Sequence, residues 1–137
     1  MTYYIAVTLP YGFEAAVQRT IDALKAEGFG VITQIDMRAT LKEKLGVDFR
    51  DYRILGACNP ALAYEALKLE DKVGTMLPCN VVVQAAGDGA TEVAAIDPVA
   101  SMQAIDNPAL KAAAEQVRAK LSAVIAALSA QHGHAAA

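Results

Sequence analysis

A hairpin signal in the second half of the chain constrains the fold more than any other feature. Residues 78–86 form the longest apolar strand pattern and contain three consecutive valines at 81–83. Gly87-Asp88-Gly89 follows as a turn signal, and residues 91–96 supply a second strand. Two extended segments joined by so short a glycine-containing connection pair as an antiparallel hairpin. The sheet of this protein is therefore predicted to be at least partly antiparallel.

The remaining strands and helices follow from the periodicity of the apolar residues. Alternation with a period of two predicts a strand, and apolar residues three and four positions apart predict a helix. Further strands are predicted over residues 2–9, 30–35 and 52–57. Helices are predicted over residues 13–27, 37–45, 60–69 and 108–128. The order β-α-β-α-β-α-β-β-α, with short connections, favours two layers in which the main helices cover one face of the sheet.

The length of the chain bounds its domain organisation. With 137 residues, the chain is most simply one domain, and it is long enough to bury a core without disulfides or metals. This single domain is predicted over residues 1–128, and residues 129–137 are predicted to form a disordered tail. His132 and His134 form a His-x-His pair in that tail. Such a pair can bind a metal, but its alanine and glycine neighbours favour a disordered end.

Composition and charge restrict the partners and the compartment. The net charge is −3 and the isoelectric point about 5.3, which argues against binding to nucleic acid or to an anionic membrane. No apolar run has the length of a membrane span, and the N-terminus lacks the pattern of a signal peptide. Two cysteines without secretory context predict free thiols and a cytoplasmic location. The mean hydropathy of +0.29 is high for so small a chain and predicts a homodimer.

Three segments carry a resemblance to a known family. They are Leu41-Lys-Glu-Lys-Leu-Gly-Val-Asp-Phe, Tyr52-Arg-Ile-Leu-Gly-Ala-Cys-Asn-Pro-Ala-Leu-Ala and Leu77-Pro-Cys-Asn-Val-Val-Val. The chain resembles the domain-of-unknown-function 302 family over residues 3–128, and the two Cys-Asn motifs in this order are fairly specific. Cys58-Asn59-Pro60 and Cys79-Asn80 would then be hallmark positions.

The resemblance implies a fold but no activity. Family members have an α+β fold with a topology like that of the TATA-binding protein, β-α-β4-α. A curved, mainly antiparallel sheet of about five strands holds a long C-terminal helix in this topology, and the proteins look like dimers. The family has no settled activity, so the resemblance leaves substrate, ligand and cofactor open.

The two cysteines are the main candidates for chemistry. Cys58 comes directly before a helix start, where the helix dipole favours a thiolate, and Cys79 opens the apolar strand of the hairpin. If their strands are neighbours, both thiols could meet at one edge of the sheet. They could then form a reversible disulfide or hold a soft metal. The alternative is that both are small buried apolar residues, and two cysteines are too few for a structural zinc site.

The polar residues near the cysteines have both structural and binding interpretations. Asn59 and Pro60 suit the N-cap and first position of a helix. Asn80 should point to the face of its strand opposite Cys79, where it bonds either a loop backbone or a ligand. Arg53 could hold an anionic ligand or form an ion pair at the rim. The candidate ligand-binding residues are therefore Arg53, Cys58, Asn59, Pro60, Cys79 and Asn80.

The sequence favours binding over catalysis and leaves two main functions open. Outside the tail it has no histidine, and it has no G-x-S-x-G motif and no phosphate-binding loop. One hypothesis is a homodimeric module that binds or senses a small ligand. The alternative is a thiol-based redox or soft-metal-binding protein that uses Cys58 and Cys79.

Overall fold

The computed structural model describes residues 2–136 of the chain, and the side chains of residues 2–130. In this range the strands are β1 (Tyr4–Leu9), β2 (Gly30–Asp36), β3 (Tyr52–Cys58), β4 (Cys79–Ala85) and β5 (Thr91–Ile96). The α-helices are α1 (Phe13–Ala26), α2 (Met37–Leu45), α3 (Pro60–Leu69), α4 (Pro98–Ser101) and α5 (Pro108–Ala136). A 3-10 helix (Asp71–Met76) connects α3 to β4.

The strands form one open sheet in the order β1-β5-β4-β3-β2. All four pairings are antiparallel, and β4 and β5 form the predicted hairpin. The connection has glycines with φ of 96° at position 87 and 69° at position 89, a backbone conformation that glycine adopts without steric cost. The predicted α+β class, with an antiparallel sheet and a long C-terminal helix, is confirmed.

The helix ends agree with their capping residues. The Asn59 side chain accepts a hydrogen bond from the Leu62 backbone N–H at the start of α3, and Pro60 occupies its first turn. Asn107 accepts hydrogen bonds from the backbone N–H groups of Ala109 and Leu110 at the start of α5. Shared cap chemistry therefore accounts for the two Asn-Pro pairs.

Two segments without a periodic sequence pattern form short helices. The Glu70 side chain accepts a hydrogen bond from the Lys72 N–H and starts the 3-10 helix. The Asp97 side chain accepts from the Val99 and Ala100 N–H groups and starts α4. The two helices have six and four residues and are too short to show a periodic pattern.

The core lies between one face of the sheet, here called the inner face, and helices α1 and α5. Inward-facing valines of β4 and β5, at positions 81, 83 and 93, are fully buried. They pack in one cluster with Val17 and Leu24 of α1 and with α5 residues that include Leu121, Val124 and Leu128. A smaller cluster joins α3, the 3-10 helix and the start of α5. The opposite face, here called the outer face, is left uncovered by α1 and α5.

The C-terminal helix reaches the tail region. Ser129 and Ala130 are helical and exposed. The other side chains of the predicted tail, including those of His132 and His134, lie outside the described residues. The boundary between domain and tail therefore stays a prediction.

Within residues 2–136, no helix combines the length and the apolar character needed to cross a bilayer.

Candidate functional site

An apolar cavity of about 320 Å³ lies where the two core clusters meet. Its floor is formed by the ends of β3 and β4, and its walls by α3, the 3-10 helix, α4 and the first turns of α5. Among its lining residues are Phe29 from one cluster and Met102 and Leu110 from the other. Within residues 2–130, no charged side chain lines this cavity. Its volume is at the lower limit of ligand pockets, which measure about 300–1,000 Å³.

Cys79 forms part of the cavity floor. It is the first residue of β4, is buried, and lies opposite Ala57 of β3 in the antiparallel register. Burial, with a smaller contribution from the charge of Cys58, raises the pKa of the Cys79 thiol to about 11. Water-poor surroundings destabilise a thiolate, so this thiol is neutral at physiological pH.

Cys58 lines the same cavity from the end of β3. It is half-buried, lies opposite Gly30 of β2, and directly precedes the cap of α3. Both cysteines are free thiols. The structure thus brings the two cysteines to one cavity, as the sequence allowed but did not require.

Asn59 is the polar residue of the cavity lining. Its Oδ1 atom is used by the cap hydrogen bond, 3.3 Å from the Leu62 nitrogen. Its Nδ2 atom has no hydrogen-bond acceptor within the part of the chain that the structure describes, and it lies beside Gly28. A Cβ atom on Gly28 would be only 3.1 Å from this Nδ2 atom.

Gly28 links the turn after α1 to the cavity. Its φ of 86° is a left-handed conformation that other residues adopt only with strain. The turn lets the Phe29 N–H bond the Leu24 carbonyl at 2.9 Å, and Phe29 then packs as a buried wall residue. Gly28 directly follows the helix predicted over residues 13–27, but the sequence gave no sign of its contact with Asn59.

A second glycine makes room for Pro78. Gly56 on β3 pairs with Asn80 of β4 and with Thr33 of β2. A Cβ atom at Gly56 would overlap the Thr33 hydroxyl and would be 2.8 Å from Cγ of Pro78. Pro78, which lines the cavity next to Cys79, therefore needs glycine at position 56.

The other predicted site residues lie elsewhere. Asn80 is exposed on the outer face, opposite to Cys79, as the alternation along β4 predicts. Arg53 lies near the start of β3, five residues or about 17 Å from Cys58 at the rise of an extended strand. Its Nη2 atom is 3.1 Å from the Glu14 carboxylate, and its guanidinium lies over the Phe13 ring. Pro60 is exposed in the first turn of α3.

The predicted site is therefore divided by the fold. Cys58, Asn59 and Cys79 line one cavity, whereas Arg53, Pro60 and Asn80 are not among its lining residues. Their roles as ligand contacts stay predictions. Phe29, Met102 and Leu110 were not predicted as site residues, because each of them looks like an ordinary core position in the sequence.

Metal-binding clusters can be assessed over the same range. Among the described residues, no group of three or more histidine, cysteine, aspartate or glutamate side chains is placed to hold a metal ion.

Comparisons with known proteins agree with this architecture. A family model described as "Domain of unknown function DUF302" matches residues 5–128. No curated protein matches the chain. The crystal structure of the uncharacterized conserved protein DUF302 from Bacillus stearothermophilus superposes with a TM-score of 0.84 and 32% sequence identity. The match covers 91% of this chain and 97% of that chain.

The match extends over nearly the whole chain and includes both Cys-Asn motifs, which confirms the resemblance noted in the sequence. The chain belongs to the DUF302 family.

Proposed function

We propose that this protein is a homodimeric module that binds a small, uncharged, mostly apolar ligand. The observation that carries the proposal is the cavity of about 320 Å³ beside both Cys-Asn motifs. Ligand pockets typically combine apolar walls with a few polar groups that orient the ligand. The apolar residues around this cavity, together with Asn59 and Cys58, form such a combination.

The lining defines the class of ligand. With no charged side chain in the wall, a buried ionic group on the ligand would have no partner, and burial of an unpaired charge is strongly unfavourable. The Nδ2 atom of Asn59 has a donor to offer, because the cap uses only Oδ1. A neutral molecule with one hydrogen-bond acceptor, such as a ketone or an ester, fits this arrangement.

The same lining favours binding over catalysis. Among the side chains that the structure describes, no aspartate, glutamate, histidine or lysine lines the cavity, and these are the residues that most often transfer protons in active sites. We also propose that the protein is cytoplasmic, because its two cysteines are free and a reducing compartment maintains free thiols. The homodimer is supported by the exposure of large apolar side chains such as Tyr4 and Ile35.

A thiol-based function is the second candidate, because Cys58 and Cys79 line one cavity. They would form a reversible disulfide or bind a soft metal such as Cu(I). The raised pKa of Cys79 opposes both reactions, since the thiolate is the nucleophile and the metal ligand. Ligand binding is therefore the better supported of the two functions.

Two neutral probes of the same shape test the ligand proposal. Acetophenone carries a carbonyl acceptor, and α-methylstyrene replaces that oxygen by a methylene group. We expect both to bind the reduced protein in ligand-observed NMR. Acetophenone should bind more tightly by the value of one hydrogen bond, about 0.5–1.5 kcal/mol. The Asn59→Asp variant keeps a capping side chain but its carboxylate has no donor, so the preference for acetophenone should disappear.

A matched pair of variants on α3 locates the probe. Ala63 lines the cavity, whereas Ala61 is exposed on the same helix. Ala63→Leu should fill part of the cavity and abolish probe binding, and Ala61→Leu should leave it unchanged. Equal binding to both variants, or no binding to the wild type, would refute the proposal. A native mass spectrum of the reduced protein should in addition show any ligand that survives purification.

A further inference from the structure

An apolar stripe crosses the outer face of the sheet from one edge to the other. The strand registers place Ile35 opposite Ile54, Ile54 opposite Val82, Val82 opposite Ala94, and Ala94 opposite Ala6. These five residues, one from each strand, are here called the apolar stripe. Ile35 is 45% exposed at one end, and α1 and α5 both pack on the inner face. A continuous apolar row of this kind on an uncovered sheet is typical of an interface.

A polar row runs beside the stripe. Tyr52, Gln84, Glu92 and Thr8 are aligned across four strands. The Arg50 Nε atom donates to Oε1 of Gln84 at 2.9 Å, and Nε2 of Gln84 donates to the Glu92 carboxylate at 3.1 Å. Positive charge therefore lies on the β3 side of Gln84, and negative charge lies on the β5 side.

Both rows are asymmetric about the central strand β4. In the apolar stripe the large side chains, Ile35 and Ile54, are on one side of Val82, and the small ones, Ala94 and Ala6, are on the other. Neighbouring strands are about 4.8 Å apart, so Ile54 and Ala94 are equally distant from β4. Ile35 and Ala6 are likewise equally distant, one strand further out.

We propose that the outer face is a two-fold interface with a second copy of this chain, with the axis lying between the two sheets and nearly parallel to β4. This inference rests on the homodimer in the proposed function and specifies its interface. Rotation about that axis brings Ile54 of one copy to Ala94 of the other, so large side chains meet small ones. It also brings Arg50 to Glu92 in two equivalent pairs. Val82 and Gln84 meet their own counterparts at the centre.

The partner is a second copy of this chain, because the complementary features lie on one and the same face. An interface between identical subunits must be self-complementary, and this face is so in both size and charge about one axis. Two sheets that pack face to face cross at about 30°, so the axis is inclined to β4 by about half of this angle. The contacts beside β4 are therefore retained better than those at the sheet edges, which puts most of the interface around residues 54, 82 and 94.

Sedimentation equilibrium of the full chain and its variants tests this interface. Val82→Asp puts a charge at the centre of the stripe and should weaken the dimer at least tenfold. Tyr64→Asp is the matched control, since Tyr64 is 62% exposed on α3 and far from the outer face, and it should not change the dimer. A wild-type monomer would overturn both the homodimer and this interface. A wild-type dimer that is insensitive to Val82→Asp would overturn the interface alone.

An exchange of charge between positions 50 and 92 tests the interface independently, even where Val82→Asp does not fold. R50E and E92R each place like charges in both pairs and should weaken their own homodimers about tenfold. A mixture of the two variants should form a heterodimer as strong as the wild type, because both pairs again have opposite charges. Native mass spectrometry should show this heterodimer well above the random fraction. A random mixture of homodimers and heterodimers would overturn the proposed axis.

Discussion

Gly28→Ala is the sharpest test of how the turn after α1 supports the cavity. Its φ of 86° places any other residue in the left-handed region, at a cost of about 1–2 kcal/mol. The new Cβ would be 3.1 Å from Nδ2 of Asn59, so the amide must shift. A shift weakens the 3.3 Å cap bond to the Leu62 nitrogen, and loss of such a cap costs about 1 kcal/mol. We expect a decrease of about 1–3 kcal/mol in the free energy of unfolding, with the upper end corresponding to complete loss of the cap.

Urea denaturation followed by circular dichroism measures this decrease, and Gly46→Ala is the matched control. Gly46 has a φ of 68° after α2, but a Cβ at this position would meet no atom within 4 Å. Gly46→Ala should therefore show the backbone strain alone, about 1–2 kcal/mol. The difference between the two variants isolates the contact with Asn59.

A double-mutant cycle with Asn59→Ala then tests the contact directly. Once the cap is removed, Gly28→Ala has less to disturb, so the double variant should be more stable than the sum of the single effects by about 0.5–1 kcal/mol. The contact with Asn59 has no energetic role if Gly28→Ala destabilises the protein no more than Gly46→Ala does, and if the effects of Gly28→Ala and Asn59→Ala are additive.

Two further predictions concern ionisable groups. The pKa of Cys79 is raised from 9.0 to about 11, so the unfolded chain loses this proton first, and the stability contribution present below pH 9.0 is lost as the pH rises towards 11. Over this pH window, the free energy of unfolding of the wild type should decrease by about 2 kcal/mol more than that of Cys79→Ala, as measured by urea denaturation at each pH. Parallel curves of stability against pH for the two proteins would contradict the burial argument. Asp97 accepts hydrogen bonds from the Val99 N–H at 2.9 Å and from Nε of Arg118 at 3.0 Å. Asp97→Asn should keep the cap, lose the ion pair and destabilise the protein by about 1–2 kcal/mol, whereas unchanged stability would show that the pair is not needed.

Local signals in the sequence were enough for the strands and main helices. The hairpin has its own glycine turn, α3 and α5 have Asn-Pro starts, and α2 ends at Gly46 as predicted. Each of these signals acts over a few residues, where backbone sterics and one side-chain hydrogen bond decide the conformation. The 3-10 helix and α4 were not predicted because six and four residues are too few to show a periodic pattern.

The cavity was less predictable because its walls come from distant parts of the chain. Phe29, Met102 and Leu110 are apolar residues in unremarkable patterns, and only the packing of α3 and α5 around the sheet end brings them together. The cysteines were identified from their motifs, but their meeting depends on the β3–β4 register. Pairing of distant strands is a property of the whole fold and leaves no local signal.

The alternation of side chains along β4 places the cavity and the interface on opposite faces of the same strand. Cys79 points to the inner face and the cavity, whereas Asn80, Val82 and Gln84 point to the outer face. Val82 lies three residues along the strand from Cys79, a distance of about 10 Å. Its side chain is on the other face of the sheet. Sites at this separation without shared contacts usually behave additively. Val82→Asp should therefore change the dimer without changing acetophenone binding, and Ala63→Leu should do the reverse. If instead either variant changes both properties, the sheet transmits a conformational change between its two faces, and ligand binding and dimerisation are parts of one sensing mechanism.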